Sequence, residues 1–299
     1  MGKTFKVAII GLDTSHAVAF PELMQDPKTP GSLRIAGLRA VSCLRFETPF
    51  QNKAGLDKRQ NYLESIGVPV TENFDEAVTD CDAVLLEIND PSLHLEYFRK
   101  CAKLGKPVFL DKPFADTLEN MQEIIRIAQE NNIRFFTSSS LRFDVDFQEE
   151  LAKGLQPERA VVWGPVGPAA AGSDIIWYGC HAFEMLQTAM GRGAVSVSGY
   201  RDPAGYVFQV AYRDGRRGTV ELTPESGFGA LIRDRENDGV FVKVTGTIPF
   251  YRMLLEQILR FLEGEEPVAL EDEVEVMAML AAADRSIAEK GRGVPVFHL

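Results

Sequence analysis

The chain has 299 residues, 45% of them hydrophobic and 25% charged, which is typical of a globular protein large enough for two domains. Its 43 acidic residues outnumber the 32 lysines and arginines, and the formal net charge of -11 argues against nucleic-acid or anionic-membrane partners. The chain opens directly into a predicted strand and its four cysteines are scattered, so we expect a cytoplasmic protein. The sequence contains no apolar stretch long enough to cross a bilayer, and we predict no metal ligands.

Strands and helices alternate over the first 137 residues. Short apolar runs between glycine, proline or polar residues predict strands at 5–12, 34–44, 68–70, 83–88, 108–112 and 134–138. Apolar residues at helical spacing predict helices at 17–24, 56–66, 74–78, 92–104 and 116–128. This alternation predicts an α/β fold with a doubly wound parallel sheet, a Rossmann dinucleotide-binding domain, over residues 1–137.

The pattern changes after residue 138. Helices are predicted at 144–153 and 181–190, and strands then follow one another at 195–200, 206–212, 217–223 and 240–245. Consecutive strands with short turns indicate a mostly antiparallel sheet. Two helices at 251–262 and 271–289 and a short strand at 294–297 complete a predicted second domain of α+β type, residues 138–299.

Lys112 stands at the predicted end of a buried strand, in the run Asp111-Lys112-Pro113. Because proline cannot donate a hydrogen bond to a sheet and restricts the residue before it, the chain must turn there. Ligands bind at the carboxyl ends of parallel strands, where a lysine can hydrogen-bond a substrate hydroxyl and favour its alkoxide. A solvated lysine at a strand end is the alternative.

The order and spacing of several short motifs resemble the Gfo/Idh/MocA oxidoreductases, the family of glucose-fructose oxidoreductase and inositol dehydrogenase. The matching motifs are Gly67-Val68-Pro69-Val70, Asp82-Ala83-Val84, Pro91-Ser92-Leu93-His94, Gly105-Lys106-Pro107-Val108, Asp111-Lys112-Pro113, Leu141-Arg142-Phe143 and Gly179-Cys180-His181. The resemblance implies an NAD- or NADP-dependent oxidoreductase that transfers a hydride between nicotinamide and a hydroxyl-bearing carbon of a sugar or polyol. It also implies a carbohydrate-like small-molecule substrate and a homo-oligomer formed through the C-terminal sheet.

The resemblance assigns the catalytic roles to Lys112 and His181. His181 is the expected base that removes the hydroxyl proton, and Lys112 is expected to orient the hydroxyl and stabilise the alkoxide. We expect both side chains to meet at one bound alcohol in a cleft between the domains. Trp177 stands where the family usually has an aspartate, so Asp174, Tyr178 or Glu184 is left to take its place, and Asp174 is included among the catalytic candidates.

Other roles follow from the same resemblance. Asn89, His94 and Asp111 are expected near the cofactor, although a packed imidazole is an equal alternative for His94. Arg142, Trp177 and Tyr178 are expected at the substrate, although a plain salt bridge is an equal alternative for Arg142.

The phosphate-binding loop departs from the family's GxGxxG pattern. It reads Gly11-Leu12-Asp13-Thr14-Ser15-His16, so only the first glycine remains. Asp13 places a negative charge beside two phosphates unless it turns away as a helix N-cap, while Thr14, Ser15 and His16 can still offer donors at the helix N-terminus. After the second strand, Arg45 replaces the acidic residue that binds the ribose, and it either accepts a 2′-phosphate or is solvated.

Two alternative functions remain open. A hydrolase or lyase on this scaffold would use a tightly bound nicotinamide for transient oxidation. A ligand-binding protein without a cofactor is suggested by Asp13 and Trp177, which replace residues that the family uses for binding and catalysis.

Overall fold

The structure, a computed structural model, describes residues 3–224, 226–236, 239–246 and 249–298. The chain divides into two compact units. The first comprises residues 1–115, 119–137 and 249–267, and the second comprises residues 116–118, 138–248 and 268–299.

The first unit is built on a six-stranded sheet in which every neighbouring pair is parallel, as the sequence predicts. Its strands are β1 (Phe5–Ile10), β2 (Leu38–Leu44), β3 (Val70–Thr71), β4 (Ala83–Leu86), β5 (Val108–Leu110) and β6 (Phe135–Thr137). The helices between them are α1 (His16–Gln25), α2 (Lys53–Ser65), α3 (Phe74–Val78), α4 (His94–Ala102) and α5 (Leu118–Glu130). The strand order is β3-β2-β1-β4-β5-β6, so the order reverses between β1 and β4.

This reversal positions the candidate site. β4 and the last four residues of β1 are buried on both faces, which explains their apolar sequences. Gly11 follows β1 with a φ of 107°, and a Cβ there would lie 2.3 Å from the Glu87 carbonyl oxygen. Only glycine therefore lets the chain leave β1 so close to β4. In open α/β sheets, ligands bind beyond the carboxyl ends of the strands at such a reversal.

One helix of the first unit comes from the far end of the chain. Helix α9 (Phe250–Leu262) contacts α1 and lies beside β6, whereas the sequence analysis placed all of residues 138–299 in the second domain. The Phe261 ring lies 5.8 Å from the Phe136 ring, and Arg134 donates to the Phe261 carbonyl oxygen. These contacts are distant in sequence, so local patterns give no sign of them.

The second unit contains a seven-stranded sheet covered on one face by helices. Its strands are β7 (Arg159–Pro165), β8 (Ala194–Asp202), β9 (Gly205–Tyr212), β10 (Arg217–Thr223), β11 (Gly229–Arg233), β12 (Gly239–Lys243) and β13 (Val294–Pro295). Its helices are α6 (Val145–Leu151), α7 (Asp174–Trp177), α8 (Cys180–Met190) and α10 (Leu270–Ala288). The order is β12-β11-β7-β10-β9-β8-β13, and β7 with β10 is the parallel pair in an otherwise antiparallel sheet.

The predicted α+β fold of this unit is confirmed, although β7 and β11 were not predicted. Both lie in the interior of the sheet, with β7 between β11 and β10. Helices α8 and α10 pack against β7, β8 and β10. Among the described residues, the structure contains no helix with the length and apolarity needed to cross a membrane.

Candidate functional site

Three buried side chains meet at the carboxyl edge of the first sheet. His16 begins α1, Glu87 directly follows β4, and Asp111 directly follows β5. His16 Nδ1 lies 2.8 Å from Asp111 Oδ2 and 3.6 Å from Glu87 Oε2. We call these three residues the edge cluster. They lie at the place where a nucleotide-binding sheet of this topology receives its ligand.

The charges of the edge cluster are coupled. Burial lowers the pKa of His16, but the Asp111 carboxylate outweighs burial and raises this pKa to about 10. Burial raises the pKa of Asp111, but His16 and Lys112 together lower it below its ordinary value. Burial and the nearby Asp111 raise the pKa of Glu87 to about 8. The surroundings therefore favour the charged forms of His16 and Asp111 and the neutral form of Glu87.

Asp13 turns into the protein instead of capping a helix. Its carboxylate accepts hydrogen bonds from the Asn89 N–H at 2.9 Å and from the Thr48 hydroxyl at 2.7 Å. The N-cap of α1 is Ser15, so the interpretation of Asp13 as an N-cap is wrong. Asp13 is 2% exposed, and burial raises the pKa of its carboxyl even though both hydrogen bonds lower it. Asp13 thus ties the loop after β1 to the segments that follow β2 and β4.

The other candidates near this edge differ in their surroundings. Lys112 is buried at the end of β5, and its N–H donates to Asp111 Oδ1 at 2.8 Å. His94 is fully buried, with Nε2 2.8 Å from the Ile88 carbonyl oxygen and Nδ1 3.5 Å from that of Phe114. His94 is therefore a packed imidazole held by the backbone. The Thr14 hydroxyl accepts from the His16 N–H at 3.3 Å, and Ser15 is exposed.

Arg45 is buried and paired, not solvated. Its guanidinium donates to Asp57 at 2.5 Å and to Gln60 at 2.6 Å, and both residues belong to α2. Arg45 itself is 8% exposed. A 2′-phosphate at the end of β2 would have to displace the Asp57 carboxylate from this arginine.

His181 is held by a chain of buried polar side chains in the second unit. Its Nδ1 lies 2.6 Å from the Ser139 hydroxyl oxygen. Ser139 donates its N–H to Glu184 Oε2 at 2.7 Å, and the Ser138 hydroxyl donates to Glu184 Oε1. His181 and Glu184 lie one helical turn apart on α8. One helix therefore carries both the imidazole and the carboxylate that accepts from Ser139, the partner of the imidazole. A Cβ on Gly179 would lie 2.5 Å from the Ile175 carbonyl oxygen, so glycine is needed where α8 begins.

Arg142 lies in a buried salt bridge. Its Nε donates to Glu184 Oε1 at 2.9 Å, and its Nη2 lies 3.1 Å from Glu273 Oε1. Its Nη1 donates to Gln187 at 3.0 Å. Burial raises the pKa of Glu273 well above its ordinary value, and the nearby Glu184 carboxylate acts in the same direction. The sequence analysis had left Arg142 either at the substrate or in a salt bridge, and the structure places it in a salt bridge.

Aromatic rings surround His181. The Tyr178 and Phe228 rings lie edge-on to the imidazole, at 5.0 and 5.6 Å, and Trp177 lies 5.4 Å from Tyr178. Asp174 has other partners, since its carboxylate accepts from the Ala169 N–H at 2.8 Å and lies 3.5 Å from the Tyr206 hydroxyl. The residue that contacts His181 Nδ1 is Ser139, whose own N–H donates to Glu184. The sequence analysis had considered Asp174, Tyr178 or Glu184 in place of the family aspartate.

Three of these residues had no assigned role from the sequence. Ser139 lies in a run of three serines, residues 138–140, to which no motif of the sequence analysis extends. Glu87 had been treated as part of a strand, and its position directly after β4 was the available signal. Glu273 lies on a helix whose apolar spacing gave no sign of a buried acid.

Sequence comparison relates the first unit to oxidoreductases. Residues 5–139 match the profile of the Gfo/Idh/MocA group, described as an oxidoreductase family with an NAD-binding Rossmann fold. An uncharacterized oxidoreductase of Schizosaccharomyces pombe is 30% identical over 145 residues, 48% of this chain and 35% of that protein. One from Streptococcus pneumoniae is 30% identical over 88 residues, 29% of this chain and 24% of that protein. The chain thus matches about a quarter to a third of the length of these relatives.

Solved structures share the fold over nearly the whole chain. Myo-inositol 2-dehydrogenase from Lactobacillus plantarum has a TM-score of 0.76 at 16% identity, covering 99% of this chain and 100% of its own. Apo scyllo-inositol dehydrogenase from Lactobacillus casei has a TM-score of 0.76 at 16% identity, covering 98% of both chains. GenD2 from gentamicin A biosynthesis, in complex with NAD, has a TM-score of 0.77 at 16% identity, covering 99% of this chain and 97% of its own.

Proposed function

Because residues 5–139 match the Gfo/Idh/MocA oxidoreductase family, we propose that the chain is an NAD-dependent dehydrogenase of that family, acting on a hydroxyl-bearing carbon of a cyclitol or sugar-like polyol. The observation that carries this proposal is the imidazole of His181, whose Nδ1 is held by Ser139 in a chain that ends at buried Glu184. A fixed imidazole is what a dehydrogenase needs from its base, because the base must meet the substrate hydroxyl in a set orientation.

His181 Nε2 takes the hydroxyl proton when the alcohol is oxidised and returns a proton when the carbonyl is reduced. A serine hydroxyl can either donate or accept, so Ser139 can hold Nδ1 while the imidazole changes its protonation state. Lys112 supplies the ammonium that orients the hydroxyl and stabilises the alkoxide. Trp177 and Tyr178 are half-buried aromatic residues beside His181, suited to the apolar face of a ring-shaped polyol. Nicotinamide, when bound, supplies the hydride acceptor or donor.

The residues after β1 fit a dinucleotide despite the altered motif. Gly11 retains the tight turn, and α1 directs its N-terminus to the carboxyl edge, where its N–H groups favour a pyrophosphate. The Asp13 carboxylate is engaged by Asn89 and Thr48. These features support Thr14, Ser15 and the first N–H groups of α1 as the pyrophosphate contacts. The pairing of Arg45 with Asp57 favours NAD over NADP.

Fluorescence titration with NADH and NADPH tests this assignment. We expect saturable NADH binding and weaker NADPH binding. Ser15→Asp should weaken NADH binding by about tenfold, since it places a charge beside the pyrophosphate. Ser15→Asn, which has a similar side chain without the charge, is the matched control and should weaken NADH binding less than Ser15→Asp.

Two results would favour the other functions. Failure of both dinucleotides to bind at millimolar concentration would support a cofactor-free ligand-binding protein, which the side chains of Asp13 and His16 at the places of two glycines also favour. Cofactor retained through purification, with no net change in nicotinamide absorbance during turnover, would support a hydrolase or lyase.

We also propose that the chain forms a homo-oligomer through the sheet face opposite α8 and α10. Val161, Trp163 and Leu231 on this face are partly exposed, and Phe241 is 66% exposed. The Trp163 and Phe241 rings lie 5.6 Å apart, so this apolar strip is continuous across β7, β11 and β12. An exposed apolar strip of this kind is typical of a protein–protein interface.

Light scattering after size-exclusion chromatography tests the oligomer. Phe241→Glu should shift the molecular mass toward that of a single chain, because it buries a charge in the interface. Lys103→Glu, an exposed charge change in the first unit, should leave the mass unchanged. A wild-type protein that already has the mass of one chain would refute the proposal.

We place the protein in the cytoplasm. The four cysteines are all buried free thiols, as expected in a reducing compartment.

A further inference from the structure

The edge cluster combines one nitrogen and two carboxylate donors in a small volume. His16 Nδ1 and one carboxylate oxygen each from Glu87 and Asp111 all lie within 4.8 Å of one another. Ligand atoms about 2.0–2.2 Å from a tetrahedral or octahedral cation are separated from adjacent ligands by about 3.0–3.6 Å. The observed separations of 2.8 and 3.6 Å from His16 Nδ1 bracket this range.

Glu87 provides an independent indication of a ligand. Its side chain is fully buried, yet neither carboxylate oxygen has a hydrogen-bond partner among the described residues. Buried carboxylates are nearly always hydrogen-bonded, paired or bound to a metal, because isolation from water is costly. Glu87 Oε2 instead faces the same His16 nitrogen that Asp111 approaches.

We propose that His16, Glu87 and Asp111 form a binding site for one first-row divalent cation such as Zn²⁺ or Mn²⁺. A set of one imidazole and two carboxylates suits these ions, whose binding would displace the protons that His16 and Glu87 otherwise hold. Three protein ligands leave at least one coordination position for water or for a ligand oxygen. The site lies beyond β1, β4 and β5, beside the helix terminus at which the proposed dinucleotide binds, but it does not depend on that function.

The surroundings of the cluster fix its imidazole and include one opposing charge. The Phe20 ring stacks on the His16 imidazole at 5.3 Å, and the Tyr251 ring lies edge-on at 4.7 Å, so the imidazole orientation is fixed. His16 is the least buried of the three, with a side chain 7% exposed, and the ion would enter beside it. Lys112 opposes a cation electrostatically, since its charge acts on both Asp111 and His16.

Equilibrium dialysis of the chelator-treated full chain tests the site. The protein is dialysed separately against ZnCl₂ and MnCl₂, bound metal is measured by mass spectrometry, and the melting temperature is recorded. We expect about one ion per chain for at least one of the two metals, together with a higher melting temperature. Glu87→Gln and Asp111→Asn should each weaken binding by at least about 100-fold. Lys112→Met should strengthen it, because the opposing charge is removed.

Glu275→Gln, a buried acid in the second unit, is the matched control and should bind metal like the wild type. Circular dichroism establishes that each variant is folded, and His16→Gln replaces any carboxylate variant that is not. A wild-type protein without bound metal above the buffer background would overturn the proposal. Equal binding by wild type, Glu87→Gln and His16→Gln would also overturn it, because the ion would then lie elsewhere. NADH binding is a separate measurement, so the proposed function can fail without affecting this result.

Discussion

Replacing His181 with alanine is expected to lower turnover on a confirmed polyol substrate by about 10²- to 10⁴-fold, the usual contribution of general acid–base catalysis. Ser139 and Glu184, the polar residues that hold the imidazole, cannot replace it. The Ser139 hydroxyl is a far weaker base, and the Glu184 carboxylate already accepts hydrogen bonds from Ser138, Ser139 and Arg142. Steady-state turnover measured by the change in nicotinamide absorbance gives the size of the effect.

Two further variants test the roles of Ser139 and Lys112 separately from that of His181. Ser139→Ala retains the imidazole but removes its partner, so we expect a smaller loss of turnover together with a shifted pH profile. Lys112→Met retains the length of the side chain without its ammonium and should lower turnover by about 10²-fold. Turnover of folded His181→Ala close to that of the wild type would exclude His181 as the base, and an unchanged pH profile in Ser139→Ala would exclude its positioning role.

Replacing Arg142 with methionine is expected to lower the free energy of unfolding by about 3–5 kcal/mol, because breaking a buried ion pair leaves uncompensated charge. Arg142 is 6% exposed and lies against both Glu184 and Glu273, which are 1% and 5% exposed. Without the guanidinium, these two carboxylates face each other with no cation between them. Urea denaturation followed by circular dichroism measures the loss.

An exposed arginine with a similar set of partners provides the control. Arg126 pairs with Glu123 and Glu130 on the surface of α5, and its side chain is 52% exposed. Arg126→Met should leave the stability almost unchanged, because solvent screens exposed ion pairs. Adding Glu273→Met to Arg142→Met should recover part of the loss, since it removes one of the stranded carboxylates. Equal stability of Arg142→Met and the wild type would contradict the account of this network.

The sequence predicted the first sheet more completely than the second, for physical reasons. The strands of a parallel sheet are buried on both faces, so β1 and β4 appear as continuous apolar runs. The pattern of β7 is weaker because its residues alternate between a buried face and a partly exposed one, and because glycine and proline end the strand. Its parallel pairing with β10 joins residues about sixty positions apart, which local patterns do not encode.

The site was predicted in part. A residue directly after a strand can be placed at the sheet edge from sequence, and Lys112 was placed in that way. The partner of a side chain depends on contacts between distant segments. His16 meets Asp111 across 95 positions, and Ser139 meets His181 across 42. Asp13 was misinterpreted because an aspartate before a helix is usually its cap, whereas here Asn89 and Thr48 take both carboxylate oxygens.

Because His16 contacts two buried acids, a change of the phosphate-binding loop to a glycine-rich sequence depends on changes elsewhere in the chain. A glycine at position 16 would restore part of the GxGxxG pattern, but it would remove the group that contacts both the Asp111 and the Glu87 carboxylates. Two acids would then be left together in a buried space, so the glycine-rich loop would be tolerated only after at least one of them had mutated. Lineages with a histidine at this position should therefore retain it together with both acids, and the three positions should change as a set.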